Sequence, residues 1–333
     1  MGEAALRQVA GALALAPLAA GTAMRTAIIG PGGIGCLFAG LLSQGGHEVW
    51  LVDRHQERAH LLDRRGVWIS GVTGEFRSPV RATTQPRDVG QVDLVMIAVK
   101  SYDTAGAAAT AQPMVNGETN VLTLQNGLGN LEALQHALGT DRVLAGVTSQ
   151  AATLLAPGQV HHAGVGMTTI GEPTGELSER LTALQSAFAE CGIQVELTTQ
   201  LVSVLWGKLA VNAGINPVAT LAQTRNGGIM ESANLRQVLR LAVTEVEQVA
   251  RAKQIRLPYT DMVLHTEEIC QRTANNLNSM LQDYYRQRRT EVDSINGAVV
   301  REGAAIGVPT PINGTLASLV RGLGETYAAR VAH

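Results

Sequence analysis

The sequence predicts two unlike units: an α/β domain built on a doubly wound parallel sheet, then an all-α domain. Three observations carry this reading. A G-x-G-x-x-G turn lies between a strand-like and a helix-like run near the start. Apolar segments of strand length recur up to about residue 198. Beyond it, long stretches of helical periodicity take over.

Size and composition set the bounds. The 333 residues are 45% hydrophobic, enough for two cores. Lys plus Arg (26) and Asp plus Glu (28) leave a net charge of −2, and aromatics make up 3%. That balance supplies neither a basic face nor stacking rings, so a nucleic-acid partner is not expected. Cys36, Cys191 and Cys270 lie far apart, so no disulfide framework or Cys-x-x-Cys pair can be read. The 36 glycines follow no G-X-Y period, and no internal repeat is evident.

Residues 1–23 have a short apolar run interrupted by Pro17 and preceded by both Glu3 and Arg7. The run is too short and too broken for a membrane span and a poor match to a secretory signal. It is expected to be an extension, disordered or not native, with Met24 as the start of the folded chain. No membrane partner is expected, and the location is expected to be cytoplasmic.

The α/β unit is expected over residues 24–197. Residues 25–30 (RTAIIG) read as a strand, 36–44 as a helix stopped by Gly45-Gly46, and 48–52 (EVWLV) as a second, parallel strand. Residues 92–99 (VDLVMIAV) have the unbroken apolar character of a strand covered on both faces. Residues 120–124 are another strand. Short strands are expected at 149–155, 159–162 and 167–171, and a helix at 177–190. The all-α unit is expected over 198–325, with helical periodicity at 201–213, 235–253, 265–285 and 292–306.

Gly30-Pro31-Gly32-Gly33-Ile34-Gly35 is the dinucleotide fingerprint in its proper context. The first glycine permits the tight turn and the second lets a pyrophosphate approach the backbone. The third lets helix and strand pack closely. Amides at the helix start then face the phosphates. The second strand ends at Asp53-Arg54, 23 residues after Gly30. An acid there grips a ribose 2′-hydroxyl and favours NAD, whereas an arginine accommodates the 2′-phosphate of NADP. The chain carries both, so the choice stays open at this point.

Lys208, Asn212 and Asn216 recur every four residues and share one helix face among apolar neighbours. Such a stripe is a solvated face or a pocket wall. The lysine with two asparagines just past a domain boundary favours the pocket. A partly desolvated lysine suits a proton donor. Pro217 restricts Asn216 toward extended backbone, so the helix is expected to end or kink there. Residues 275–283 (NNLNSMLQD) are rich in short polar side chains, as a helix start would be. Glu291 precedes an apolar helix and could keep Lys208 charged if the two approach. His161-His162, neighbours on a strand, point to opposite faces and cannot chelate one ion, so no metal is expected. Cys36 reads as a small buried residue, and Arg286, Arg288 and Arg289 as a solvated surface patch.

These pieces together resemble the ketopantoate reductase family: Gly30–Gly35, Val99-Lys100, Gln125-Asn126-Gly127, Lys208-x3-Asn212-x3-Asn216-Pro217, Asn276-x2-Ser279-Met280-Leu281-Gln282-Asp283 and Glu291-x4-Asn296-Gly297. The resemblance runs from Met24 to the low 320s. It implies a Rossmann domain joined to a helical domain of the 6-phosphogluconate dehydrogenase-like type, with the active site between them. It implies NADPH-dependent reduction of 2-dehydropantoate to (R)-pantoate, on the way to pantothenate and coenzyme A. It implies Lys208 as general acid, Asn212, Asn216, Asn226, Asn276 and Ser279 as substrate contacts, and Glu291 as a carboxylate at the substrate or nicotinamide ribose. Lys100, Asn126 and Ala152 fall at cofactor-side positions, and Arg54 near the 2′-phosphate. A small 2-oxo acid is the implied partner, and a homodimer fits the family. Asp53 keeps NAD in play and, with it, an NAD-dependent D-2-hydroxyacid dehydrogenase. A non-catalytic nicotinamide sensor would need the glycine turn but not Lys208.

Overall fold

The structure, a computed structural model, describes residues 23–329. The expected extension over residues 1–23 therefore lies, except for Ala23, outside the described residues. The strands are β1 (Arg25–Ile29), β2 (Glu48–Val52), β3 (Val67–Gly71), β4 (Phe76–Ser78), β5 (Arg81–Thr83) and β6 (Leu94–Ile97). They continue as β7 (Asn120–Thr123), β8 (Val143–Thr148), β9 (Ala151–Ala156), β10 (Gln159–Gly164), β11 (Thr168–Gly171) and β12 (Val195–Thr198). Among them run the helices α1 (Gly33–Gln44), α2 (Gln56–Arg65), α3 (Pro86–Val89), α4 (Thr104–Ala111), α5 (Asn130–Leu138) and α6 (Glu179–Glu190).

The main sheet has the order β5-β2-β1-β6-β7-β8-β11-β12. Its first six strands are parallel, β11 runs against β8, and β12 pairs parallel with β11. The chain leaves β1 toward β2 on one side and returns to β6 on the other. A crevice therefore opens at the carboxyl ends of β1 and β6, where such sheets bind ligands. Alternate residues serve opposite faces. Ala27 and Ile29 of β1 join the core under α4 and α5, while Ile28 joins the core under α1 and α6.

A second sheet, β4-β3-β10-β9, covers the other side of α1. The short strands expected at 149–155 and 159–162 thus belong to this sheet, and only 167–171 enters the main one. α1 is sandwiched between sheets, which explains a helix with no polar face. Leu37, Phe38 and Leu42 are fully buried, each worth about 1.5–3 kcal/mol. Phe38 meets Phe188 of α6 edge to face at 5.8 Å. Cys36 is buried with them, and burial pushes its thiol up to about 12.

The second half is helical: α7 (Leu201–Leu221), α8 (Asn226–Glu231), α9 (Ala233–Ala252), α10 (Met262–Arg272), α11 (Ser279–Tyr285), α12 (Asn296–Ala305) and α13 (Pro311–Glu325). No described helix is long and apolar enough to cross a membrane. α7 is the central helix, packed against α9, α10, α11 and α13. The helix expected over 265–285 is interrupted. Residues 273–278 form a break, and Asn278 caps α11 by accepting from the amide of Leu281 at 2.9 Å. The helix expected at 292–306 starts only at Asn296.

The expected end or kink at Pro217 is corrected by the structure: α7 continues through it to Leu221. A proline here removes the hydrogen bond to the carbonyl four residues back. That carbonyl, Ala213 O, instead accepts from Asn296 Nδ2 at 3.0 Å. Asn296 Nδ2 also donates to Asn313 Oδ1 at 2.9 Å, and Asn313 Nδ2 donates to Glu245 Oε2 at 2.8 Å. Glu245 in turn accepts from the amides of Ile312 and Asn313 at 2.8 and 2.9 Å, capping α13. A buried polar chain thus ties α7, α12, α13 and α9 together. Replacing Asn296 with Leu leaves Ala213 O and Asn313 Oδ1 without this donor. The variant is expected to lose about 1–3 kcal/mol of stability, read as a lower urea midpoint at unchanged slope.

Candidate active site

The crevice at the switch point is deepened by α11 and the segment before α12 into a cleft of about 1030 Å³. Gly30, Pro31, Gly32, Gly33 and Ile34 line its floor. Gly30 sits at φ +99°, and a Cβ there would lie 2.8 Å from the backbone nitrogen of Val99, so the turn needs glycine. A Cβ on Gly35 would strike Gly30 O at 2.2 Å and one on Gly33 would strike Ala152 O at 2.7 Å. These two glycines serve close packing. Gly32 differs: a Cβ there would meet nothing within 4 Å. This is the open approach that a pyrophosphate requires. The N-terminus of α1 has no side-chain cap, so its first amides are left for an anion. The residues present fit a dinucleotide.

At one end of the cleft the two candidates after β2 part ways. Arg54 is exposed, with Nη1 3.4 Å from Asp103 Oδ2. Asp53 is buried. Its carboxylate accepts from both Nε and Nη2 of Arg58, the latter at 2.6 Å, and from the amide of His55 at 3.0 Å.

At the other end Glu291 is the hub. Only 5% exposed, it accepts from the Ser101 amide at 3.0 Å, from Lys100 Nζ at 3.3 Å and from Asn126 Nδ2 at 3.5 Å. Lys100 Nζ also lies 2.6 Å from Asp283 Oδ2. Burial works against the Lys100 charge, but Glu291 and Asp283 more than offset it and hold the ammonium well above lysine's ordinary value. Gly127, at φ +83°, lets this loop close in. A Cβ there would stand 2.3 Å from Ser294 O, whose carbonyl accepts from the Leu128 amide at 2.9 Å.

Of the candidates in the helical half, Ser279 lines the cleft, with Lys100, Asn126, Ala152 and Glu291. Asn212 stands just behind, its Nδ2 3.3 Å from Asn126 Oδ1. Lys208, one turn earlier on α7, donates to Thr148 O at 3.1 Å. Burial lowers its ammonium below the ordinary value. Glu291 could keep Lys208 charged only if the two approached; instead Lys208 donates to Thr148 O, and Lys100, from the loop after β6, takes the carboxylate. Asn216, buried, follows Asn212 on α7. Asn226 opens α8, donating Nδ2 to Thr273 Oγ1 at 2.9 Å, and its amide donates to Asn276 O at 3.1 Å. Asn226 Oδ1 is buried with no partner. Asn216, Asn226 and Asn276 do not line the cleft as it stands.

Several residues here escaped sequence reasoning. Asp283 belongs to a quoted motif but carries no role there; it lies four residues after Ser279 on α11, a spacing that could have revealed it. Arg58 gave no signal, because its approach to Asp53 depends on α2 starting at Gln56. Arg286, Arg288 and Arg289, read as a solvated surface patch, are exposed and also line the cleft. Arg286 Nη2 bridges to Leu154 O at 2.9 Å. His162 is buried and His161 exposed, on opposite faces of β10.

A doubly wound sheet with a glycine turn at its switch point, closed over by a helical unit whose Glu291 meets Lys100 on the cleft wall, defines a two-domain nicotinamide-dependent reductase. Residues 26–175 match the family described as "Ketopantoate reductase PanE/ApbA", and residues 200–324 match its C-terminal part. The 2-dehydropantoate 2-reductase of Halobacterium salinarum is 38% identical over 301 residues, covering 90% of this chain and 98% of that protein. The crystal structure of a PanE/ApbA family ketopantoate reductase from Ralstonia eutropha JMP134 is 32% identical with TM-score 0.84, covering 91% and 99% of the two chains. A ternary structure of D-mandelate dehydrogenase with NADH and anilino(oxo)acetate is 26% identical with TM-score 0.86, again covering 91% and 99%. The chain belongs to the ketopantoate reductase family.

Loss of the Glu291 hub should be graded. Glu291→Gln keeps an acceptor for the Ser101 amide and leaves Asp283 on Lys100, so it is expected to cost about 1–3 kcal/mol. Lys100→Met leaves two buried carboxylates unpaired and is expected to cost about 3 kcal/mol or more. Equilibrium unfolding of both variants checks the order. Equal losses would remove Lys100 as the shared partner.

Proposed function

We propose that this protein reduces 2-dehydropantoate to (R)-pantoate with NADPH, and that Lys208 donates the proton. The observation that carries the reading is the run of contacts from α7 to the cleft wall at Glu291. Asn212 reaches Asn126, and Asn126 reaches Glu291 on the cleft wall; Lys208 lies one helical turn before Asn212 on the same helix. The relatives named 2-dehydropantoate 2-reductase support the substrate.

A nicotinamide held in the cleft would supply hydride to the ketone carbon. Negative charge then builds on the ketone oxygen, and the Lys208 ammonium stabilises it and gives up its proton there. Burial lowers the Lys208 pKa, so the proton leaves more easily than from a solvated lysine. Asn212 and Asn216, on the same face of α7, orient a polar substrate without adding charge. Asn226, with its unpartnered Oδ1, Asn276 and Ser279 are the further substrate contacts, Ser279 from the cleft wall. Glu291 holds Ser101, Lys100 and Asn126 in place at the nicotinamide end. Gly30–Gly35 and Ala152 form the phosphate side, and Arg54 meets the 2′-phosphate. A second reading, an NAD-dependent D-2-hydroxyacid dehydrogenase, is favoured by the likeness to D-mandelate dehydrogenase.

Oxidation of NADPH and NADH, followed with 2-dehydropantoate and with other 2-oxo acids, separates the two. Faster turnover of 2-dehydropantoate with NADPH is expected. Preference for NADH with a different 2-oxo acid would establish the second reading instead. Lys208→Ala is expected to lower kcat by about 10²–10⁴-fold while the Kd for NADPH stays unchanged, and near-normal turnover would remove Lys208 as the acid. The reductive rate needs the protonated amine, so it should fall as pH rises through the Lys208 pKa. Because burial lowers that pKa, the falling limb should lie below 10.5, the ordinary lysine value.

A further inference from the structure

We propose that Arg58 determines cofactor specificity, by withdrawing Asp53 from the ribose end of the cleft and presenting its own charge there. The proposal rests on the reading of the protein as an NADPH-dependent reductase and deepens it. Asp53 occupies the position after β2 from which an acid accepts a ribose hydroxyl. A carboxylate has about four acceptor sites. On Asp53, Oδ1 takes Arg58 Nη2 and the His55 amide, and Oδ2 takes Arg58 Nε. Both residues line the cleft, but the Asp53 side chain is 0% exposed and that of Arg58 is 30% exposed. A ribose hydroxyl thus meets Arg58, and reaches the acid only once the guanidinium fork opens.

The position of Arg58 points the same way. It lies in the first turn of α2, where the helix dipole disfavours a cation. The Asp53 fork compensates for that placement. Of the five N–H donors on a guanidinium, Asp53 takes two. The rest of the planar group belongs to the rim of the cleft, which Arg54, paired with Asp103, also lines. A guanidinium over a neutralised carboxylate, with a second guanidinium lining the same cleft, suits a doubly charged phosphate and not a neutral diol.

The test uses the full chain and two probes, adenosine 2′,5′-bisphosphate and AMP, titrated by calorimetry into wild type, Arg58→Gln and the double variant Asp53→Asn/Arg58→Gln. NADPH and NADH kinetics run alongside. For Arg58→Gln, bisphosphate binding should weaken by roughly tenfold or more. AMP and NADH should bind tighter, because Asp53 is released. In the double variant the bisphosphate preference should also be lost, but with no gain for AMP or NADH. This variant carries no unpaired buried charge, so it reads the phosphate contact even if the single variant does not fold. Equal weakening of both probes, or an unchanged bisphosphate-to-AMP ratio, overturns the proposal. If wild type binds the bisphosphate no better than AMP, the NADPH reading fails. The withdrawal of Asp53 is still judged by whether Arg58→Gln tightens AMP.

Discussion

The Glu291 carboxylate is the point on which the arrangement depends. It lies in the helical half, yet its partners come from loops after two sheet strands: Lys100 and Ser101 after β6, Asn126 after β7. These loops form the wall of the switch-point crevice. A buried carboxylate is costly unless its lone pairs are met, so it penalises any relative placement of the halves that leaves it unmet. The ion pair with Lys100 fixes which loops meet which helices. The cleft takes its shape from that constraint.

The helical half solves a similar problem without charge neutralisation. Pro217 would leave a carbonyl orphaned at the centre of the most buried helix. Asn296 Nδ2 fills the gap while also donating to Asn313, and Asn313 in turn donates to Glu245. The result is a continuous α7 that carries Lys208, Asn212 and Asn216 on one face. A local reading of Pro217 sees only the lost donor. The partner that replaces it lies 83 residues away along the chain.

That contrast describes what could be read in advance. β1, α1 and β2 were legible because the glycine turn, the apolar runs and the Gly45-Gly46 stop are all local signals. The helical half was legible as a class from periodicity. β3, β4 and β5 were not, because they are short and partly polar and become strands by pairing with distant neighbours. In the site, the residues of the cleft floor could be named from their spacing. The Asp53–Arg58 fork and the Lys100–Asp283 pair could not, because each depends on where a helix begins or how two units dock.

One feature bears on how the protein acquires its shape. α1 is apolar on every side and becomes buried only when both sheets are in place. Its outer cover includes β9 and β10, and Gly33 packs directly against the backbone of Ala152. The first helix among the described residues therefore waits for a hairpin more than a hundred residues downstream. Contacts so remote in sequence slow folding. During synthesis, a nascent chain that has emerged only as far as β8 carries the glycine turn but not the surface that holds it. The phosphate cradle, written among the earliest residues, is completed late.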